Sequence, residues 1–184
     1  DCLKKISKNT KVIMPVHLYG NLFNTYKLRK KIRKNIFIIE DSAHAFCGEY
    51  KNNPLGKFSD FTVFSFYATK SITCGEGGAI ITNHKSYSDK IRSISNNGMT
   101  KPAFKRFVNN KYIPWDVYNY GFKSNLSDIN ASILVDQIKE YSKIAKQKKK
   151  FLKNLKKNSV KFLKFLSQLK NLIKIGIITS FLLE

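Results

Sequence analysis

The sequence predicts an α/β fold with a mainly parallel sheet. Two short apolar runs, residues 11–16 (KVIMPV) and 35–40 (NIFIIE), suit buried strands, and a helical pattern over about residues 25–34 separates them. Strand, helix and strand in this order are typical of a parallel βαβ unit. Functional groups in such sheets collect at the carboxyl ends of the strands, and Asp41 directly follows the second run.

Two further strands are predicted after this unit. Residues 61–66 (FTVFSF) and 79–82 (AIIT) are short, apolar and rich in residues that favour strands. The polar loop between them carries Lys70 and the glycine-rich residues 75–78 (GEGG). We expect these glycines to serve backbone conformation only.

Helices and one long loop are predicted in the rest of the chain. A helix spans residues 86–95, and another begins at residues 127–128 (SD), which can cap a segment with apolar residues at helical spacing. Residues 97–122 between them are rich in aromatic residues and are predicted to form a loop. From residue 146 the sequence becomes a low-complexity mixture of Lys, Leu, Phe and Asn, closing with IGIITSFLLE, and an amphipathic helix is expected through about Leu169.

The composition indicates a globular protein, which we expect to be soluble and cytoplasmic. Hydrophobic residues make up 42% of the chain and aromatic residues 13%, enough to build a core. No run of about 20 apolar residues is present, and the chain starts with neither Met nor a signal-like segment, so we expect its start to be missing. Cys2, Cys47 and Cys74 form no C-x-x-C pair and no histidines lie at metal-ligand spacing, so we expect structural thiols and no metal.

A net charge of +22 is typical of proteins that bind nucleic acid or an anionic membrane surface. Lys outnumbers Arg 30 to 4 among the 34 basic residues, however, which is typical of an A/T-rich coding bias. Half of the excess, +11, lies in residues 139–184. We therefore expect neither nucleic acid nor a membrane as partner, and keep a basic nucleic-acid-binding module as an alternative.

Five residues around two strand ends have the chemistry of a cofactor site. Lys70 lies just after a predicted strand, where a lysine held near a carbonyl and partly desolvated can form an imine. Ser65 can offer a hydroxyl to a phosphate, and Asp41 can pair with a protonated ring nitrogen. Ala43 is small enough to lie under a flat ring, and His44 can reach a ring hydroxyl, although a structural role for a lone histidine is equally compatible with the sequence.

Several segments, in this order along the chain, resemble the DegT/DnrJ/EryC1/StrS aminotransferases, which use pyridoxal phosphate (PLP) to aminate keto nucleotide-sugars. The segments are VHLYG (16–20), IEDSAHA (39–45), FSFYATKSITCGEGGAIIT (64–82), NNGM (96–99) and GFKSNLSDINASI (121–133). The resemblance covers roughly residues 11–145. It implies PLP fold type I, the aspartate-aminotransferase-like fold, with residues 1–145 as a partial large domain and residues 146–184 as a Lys-rich helical or degraded tail.

The resemblance also implies a role for each candidate residue. Lys70 would be the Schiff-base lysine and general base, and Asp41 the partner of the pyridine nitrogen. Ser65 would bind the cofactor phosphate, and His44 matches a position that contacts the ring hydroxyl. Asn125 matches a residue that reaches the cofactor phosphate of the neighbouring subunit, so a homodimer with a shared active site is implied.

The implied reaction is a transamination that serves surface polysaccharide or lipopolysaccharide biosynthesis. Glutamate, the family's usual donor, would supply the amino group to a keto-deoxy nucleotide-sugar, and the GFKSN segment favours amination at C4 over C3. The family's other phosphate-binding loop, its ring-covering aromatic residue and its small C-terminal domain have no counterpart here. We therefore expect an incomplete fold, and a chain that does not turn over by itself.

Three alternatives stay open beside the transaminase. Lys70 argues against the branch of the family that carries His at this position and acts as a dehydratase. A decarboxylase or desulfurase of the same fold is a second alternative, although no cysteine here is marked as the mobile nucleophile that a desulfurase needs. The third is a non-catalytic remnant of the aminotransferase, which the enzyme motifs do not distinguish from an active one.

Overall fold

A computed structural model describes residues 1–99, 107–109, 111–114, 116–117 and 119–174. They belong to two units, the sheet unit, Asp1–Asp136, and the helical unit, Gln137–Glu184. The apolar end of the sequence, residues 175–184, lies outside the described residues, as does part of the predicted loop at 97–122.

The sheet unit carries most of the regular structure. Two short 3₁₀ helices, Cys2–Lys5 and Leu18–Gly20, accompany the strands and helices. In chain order the other elements are β1 (Val12–Ile13), α1 (Thr25–Arg29), β2 (Phe37–Asp41), β3 (Glu49–Tyr50), β4 (Asn53–Pro54), β5 (Phe61–Ser65), β6 (Gly78–Ile81), α2 (Lys85–Ile94), β7 (Phe107–Val108), β8 (Lys111–Tyr112) and α3 (Asp128–Lys174).

A four-stranded sheet in the order β1-β2-β5-β6 forms the centre of this unit. The β1–β2 and β2–β5 pairs are parallel, with Asp41 opposite Val63 in the second pair. The β5–β6 pair is antiparallel, with Ser65 opposite Gly78, because the loop that joins these strands contains no crossover helix and returns directly. The predicted α/β fold with a mainly parallel sheet is confirmed.

The core lies against one face of β2. Burial alternates along this strand, so that Ile38 and Glu40 are buried while their neighbours are partly exposed. Ile36 and Ile38 are completely buried. The other buried apolar residues come from the helices and loops around the sheet: Leu28, Ala45, Phe66, Ile72, Cys74 and Leu134.

Helix α1 is shorter than its pattern predicted. It begins where Asn24 Oδ1 accepts a hydrogen bond from Lys27 N–H at 2.9 Å, and it ends at Arg29, not near residue 34. The Arg29 side chain points away from the helix, and its Nη1–H donates to the Ile36 carbonyl oxygen at 2.9 Å. The cluster of like charges that follows also disfavours another helical turn, so the chain turns early into β2.

The later helices follow the prediction more closely. Helix α2 spans Lys85–Ile94, within one residue of the predicted range. Helix α3 begins at Asp128 as predicted, and Ser127 caps it by accepting a hydrogen bond from Asn130 N–H at 3.2 Å. The predicted loop at 97–122 contains the short β7–β8 hairpin, which its irregular sequence did not indicate.

In the helical unit, the described residues, 137–174, form the second part of α3. The helix runs to Lys174, beyond the predicted limit of Leu169, and residue 146 lies inside it. Its Phe151 and Leu152 side chains are exposed. In the part of the chain that the structure describes, no helix is long and apolar enough to cross a membrane.

Candidate active site

The two central strands end side by side, which brings two of the predicted site residues, Asp41 and Ser65, to one edge of the sheet. Asp41 is the last residue of β2 and lies opposite Val63 of β5. Beyond it, Ser42 N–H donates to the Val63 carbonyl at 2.8 Å. Because the strands are parallel, the carboxyl end of β5, at Ser65, lies at the same edge. Both Asp41 and Ser65 are half-buried there.

The Asp41 carboxylate is held in a defined orientation. Its Oδ1 accepts a hydrogen bond from Ala43 N–H at 3.0 Å, which closes a tight turn after the strand. The Asp41 backbone is fixed as well, since its N–H donates to the Pro15 carbonyl at 2.9 Å and its carbonyl accepts from His17 N–H at 3.0 Å. The predicted Ala43 thus contributes a backbone donor to the site, beside the small side chain that the sequence indicated.

Lys70 lies in the loop that follows β5. Its N–H donates to the Tyr67 carbonyl at 2.9 Å, which closes a turn, and its side chain is half-buried. The loop is pinned at its base, where Phe66 N–H donates to the Gly77 carbonyl at 2.8 Å and Cys74 N–H to the Phe66 carbonyl at 3.0 Å. The lysine is therefore carried by a fixed loop that starts beside Asp41.

The glycines of this loop have the backbone role expected of them. A Cβ at Gly77 would lie 2.8 Å from Cys74 Sγ, and a Cβ at Gly78 would lie 2.8 Å from the Phe64 carbonyl oxygen. Gly75 has a φ of +84°, a left-handed conformation that favours glycine. The close return of the loop onto β5 therefore requires residues without side chains.

Ser65 and His44 are both left with a donor to offer. Ser65 Oγ accepts a hydrogen bond from Tyr67 N–H at 3.3 Å, so its own O–H remains a donor. His44 Nδ1 accepts from Tyr19 N–H at 3.3 Å, which assigns the proton of the neutral imidazole to Nε2. The His44 ring is exposed and stacks on Tyr19, with ring centroids 5.6 Å apart.

The sequence profile of the DegT/DnrJ/EryC1/StrS aminotransferase family matches residues 2–165. The chain belongs to this family. The match is longer than residues 11–145, the range that the motifs alone indicated, and it extends well into α3. Residues 151–165 therefore lie within the family match, although the sequence led us to expect no family pattern after about residue 150.

Two relatives with more specific names are similar to most of the chain. GDP-perosamine synthase of Escherichia coli O157:H7 is 34% identical over 160 residues, 86% of this chain and 41% of that protein. The spore coat polysaccharide biosynthesis protein SpsC of Bacillus subtilis is 34% identical over 144 residues, 78% of this chain and 37% of that protein. The chain thus spans about two fifths of the length of these relatives.

The fold is similar to that of solved sugar aminotransferases. The putative sugar aminotransferase Spr1654 of Streptococcus pneumoniae, in its PMP form, superposes with a TM-score of 0.70 and 29% identity, over 83% of this chain and 43% of that one. Its PLP form is similar as well. This similarity confirms PLP fold type I for the family member described here.

Two other motif segments, NNGM and GFKSN, pack against each other. Asn96 bridges to Lys123, and Asn97 N–H donates to the Phe122 carbonyl at 3.0 Å. Asn125 is exposed at the end of this pair, and its Oδ1 accepts from Lys123 Nζ at 2.6 Å. The contact of Asn125 with a neighbouring subunit stays a prediction.

Glu40 is a residue of the site region that the sequence analysis missed. Its carboxylate is buried, with an exposed fraction of 2%, and all of its close partners are donors. They are Thr25 Oγ1, the Gly56 N–H, Ser59 Oγ, Thr62 Oγ1 and, at 3.5 Å, His17 Nε2. A buried carboxylate needs such partners. A glutamate in the apolar run NIFIIE was therefore the sequence signal that could have predicted a buried hydrogen-bond network at Glu40.

The hydrogen bonds determine the charge state of Glu40. Burial alone would raise the pKa of its carboxyl group, but the donors, His17 and Thr25 foremost, outweigh burial and lower the pKa from 4.5 to about 2. His17 also accepts a hydrogen bond from Phe23 N–H at its Nδ1, at 3.0 Å, so its Nε2 carries the proton and faces Glu40. This buried pair fixes the end of β2 just before Asp41.

The donor set at the sheet edge fits pyridoxal phosphate. Asp41 offers an anchored carboxylate for a ring N–H, and Lys70 offers an amine on a fixed loop. Ser65 O–H and His44 Nε2–H offer donors for phosphate and ring oxygens. Among the described residues, no three His, Cys, Asp or Glu side chains come together as metal ligands.

Proposed function

We propose that this chain carries the cofactor-binding part of a PLP-dependent transaminase that transfers an amino group to a keto-deoxy nucleotide-sugar. The observation that carries the proposal is the juxtaposition of Asp41, at the end of β2, with the Lys70 loop, which begins at the end of the adjacent parallel strand β5. Membership of the aminotransferase family supports it.

Asp41 is the proposed partner of the cofactor's ring nitrogen. Its carboxylate would hold that nitrogen protonated, and the turn through Ala43 N–H keeps the carboxylate from rotating away. When bound, the protonated ring withdraws electrons from the carbon of the substrate that loses its proton. An aspartate fixed through both its backbone and its side chain loses little freedom in making this contact.

Lys70 is the proposed attachment point and proton carrier. Its Nζ would hold the cofactor covalently between turnovers and, once released by the substrate amine, accept and return a proton at the substrate carbon. Both tasks need an amine that stays within reach of the same atoms. The pinned base of the loop, at Phe66 and Gly77, supplies that restraint.

The remaining candidates would orient the cofactor. Ser65 O–H would donate to the phosphate and His44 Nε2–H to the ring hydroxyl. Asn125 would reach the phosphate in the partner subunit of a homodimer, and its exposure on the surface of the sheet unit supports this role. Ala43 would lie under the ring.

The substrate class is supported by the names of the relatives. One relative is a GDP-perosamine synthase and another is a spore coat polysaccharide biosynthesis protein. We propose a nucleotide-sugar for surface polysaccharide as the acceptor, glutamate as the donor, and C4 as the aminated carbon. The free thiols of Cys47 and Cys74 support a reducing, cytoplasmic location.

Covalent labelling tests the proposal without requiring turnover. The chain is incubated with substoichiometric PLP, reduced with borohydride, digested and mapped by mass spectrometry. We expect the pyridoxyl label mainly on Lys70, although the chain contains 30 lysines. Lys70→Arg should remove that label, whereas Lys51→Arg, at an exposed turn, should leave it unchanged.

The labelling experiment has a clear contrary outcome. A label spread over many lysines, unchanged in Lys70→Arg, would show that the strand-end arrangement does not select the cofactor. Rapid release of 2-oxoglutarate from glutamate by this chain would in turn contradict the expectation that it does not turn over alone.

A further inference from the structure

Tyr19 combines exposure with a backbone conformation that tyrosine rarely adopts. Its φ is +52°, in the left-handed region, and 88% of its surface is exposed, so no burial offsets the strain. The neighbouring Gly20, at φ +78°, would tolerate this region readily, but Tyr19 has a Cβ. Strain of this kind persists only where the surroundings impose it, and it is concentrated at functional sites.

The surroundings that impose it are the hydrogen bonds of the 18–23 loop. His17, at the start of the loop, is completely buried and accepts Phe23 N–H at its Nδ1, which closes the loop across its base. Gly20 N–H donates to the His17 carbonyl at 3.2 Å. Because His17 N–H is bound in turn to the Asp41 carbonyl, the loop is fixed to the end of β2.

The fixed loop presents Tyr19 to His44 through two contacts. Tyr19 N–H donates to His44 Nδ1 at 3.3 Å, and the two rings lie 5.6 Å apart with an angle of 19° between their planes. The first contact assigns the His44 proton to Nε2, and the second limits the rotation of an otherwise exposed ring. Together the two contacts make Nε2 the donor nitrogen of His44 and fix the plane of the His44 ring.

We infer that Tyr19 is a positioning residue that holds His44 as an Nε2–H donor toward the ring hydroxyl of the cofactor. The inference rests on the proposed function and goes beyond it, because Tyr19 acts through His44 and not on the cofactor. A stacked aromatic ring suffices for this role, so the tyrosine hydroxyl is dispensable.

A double-mutant cycle on PLP affinity tests the inference in the 184-residue chain. We expect His44→Ala to weaken PLP binding up to about tenfold, the loss of one hydrogen bond. Tyr19→Gly relieves the strain and keeps the backbone N–H that donates to His44 Nδ1 but removes the stacked ring, so it should weaken binding by a smaller factor, about threefold to fivefold. The double variant should bind no worse than His44→Ala alone, because the Tyr19 ring acts only through the His44 ring.

Two further variants separate positioning from general disruption. Tyr19→Phe keeps the stacked ring and should bind PLP within about twofold of the parent chain. Tyr120→Ala, at a fully exposed tyrosine of the same unit, is the matched control and should have no effect. Strictly additive losses in the double variant, or unchanged binding by Tyr19→Gly, would overturn the role of Tyr19 while leaving the proposed function standing.

An NMR measurement on the cofactor-free chain gives an independent result. The chain has three histidines, so the His44 ring protons can be assigned with single His→Gln variants. The ring current of Tyr19 should shift them from their random-coil positions, Tyr19→Phe should keep that shift, and Tyr19→Gly should abolish it. An unshifted His44 in the parent chain overturns the inference whether or not PLP binds. Absence of selective Lys70 labelling instead overturns the proposed function, and the role of Tyr19 falls with it.

Discussion

Replacing Glu40 by Gln should destabilise the sheet unit strongly at neutral pH. Four groups donate hydrogen bonds to the Glu40 carboxylate, and three of them converge on Oε2. In Glu40→Gln, the NH₂ group would replace either Oε1 or Oε2. It would therefore face either the donor at Oε1 or the three donors at Oε2. At least one buried donor would lose its acceptor, and the charge that strengthens the remaining bonds would be gone.

The magnitude follows from the pKa of Glu40, which is lowered from 4.5 to about 2. Since a tenfold change in proton affinity is worth about 1.4 kcal/mol, this lowering corresponds to roughly 3 kcal/mol of folding free energy. A carboxyl group with a depressed pKa stabilises the fold above its unfolded-state pKa. The contribution is therefore complete above about pH 4.5 and is lost as the pH falls toward 2.

Urea unfolding at a series of pH values measures this contribution. The parent chain should exceed Glu40→Gln by roughly 3 kcal/mol at pH 7, and the difference should shrink steadily between pH 4.5 and 2. Glu49→Gln, at an exposed carboxylate, is the control and should follow the parent curve within about 0.5 kcal/mol. A Glu40→Gln variant that is as stable as the parent chain at pH 7 would refute the assignment of Glu40 as a charged anchor.

Three further predictions concern single positions. Asp41→Asn should keep the melting temperature, because an amide oxygen can still accept Ala43 N–H, but should reduce covalent PLP labelling severalfold. Gly98→Ala places a Cβ 1.8 Å from a facing backbone oxygen at φ +71° and should cost at least about 3 kcal/mol by urea unfolding, whereas Gly75→Ala, with open space around it, should cost only about 1 kcal/mol. Burial and then the charge of Glu49 raise the pKa of the Cys47 thiol, so iodoacetamide should modify Cys47 slowly at pH 8 and faster in Glu49→Gln.

The strands could be predicted because their apolar runs are short and are interrupted by turn residues. The polar residues near their ends were equally visible, since Asp41 directly follows one apolar run and Ser65 is the last polar residue inside another. Parallel pairing then places both at one sheet edge without any knowledge of side-chain contacts. The cap of α3 was predictable for the same local reason, because Ser127 precedes a helical pattern.

Features that depend on tertiary contacts could not be predicted in this way. The early end of α1 at Arg29 reflects bonds to segments far along the chain, among them the Phe58 carbonyl at 3.2 Å. The contact between Tyr19 and His44 joins residues 25 positions apart. Periodicity carries no information about either contact.

The end of β2 gives a reason to expect that the proposed cofactor binding is coupled to the stability of the sheet unit. Successive residues of a strand point to opposite faces, so Glu40 enters its buried set of donors while Asp41 stays accessible at the sheet edge. A register slip of one residue would exchange the two carboxylates, and the shorter aspartate side chain could not reach the same donors. The buried Glu40 network therefore specifies the register that presents Asp41 at the end of the sheet, where we propose that it binds the cofactor. Changes that loosen Glu40 should lower PLP affinity as well as stability, even though Glu40 lies on the opposite face of the strand.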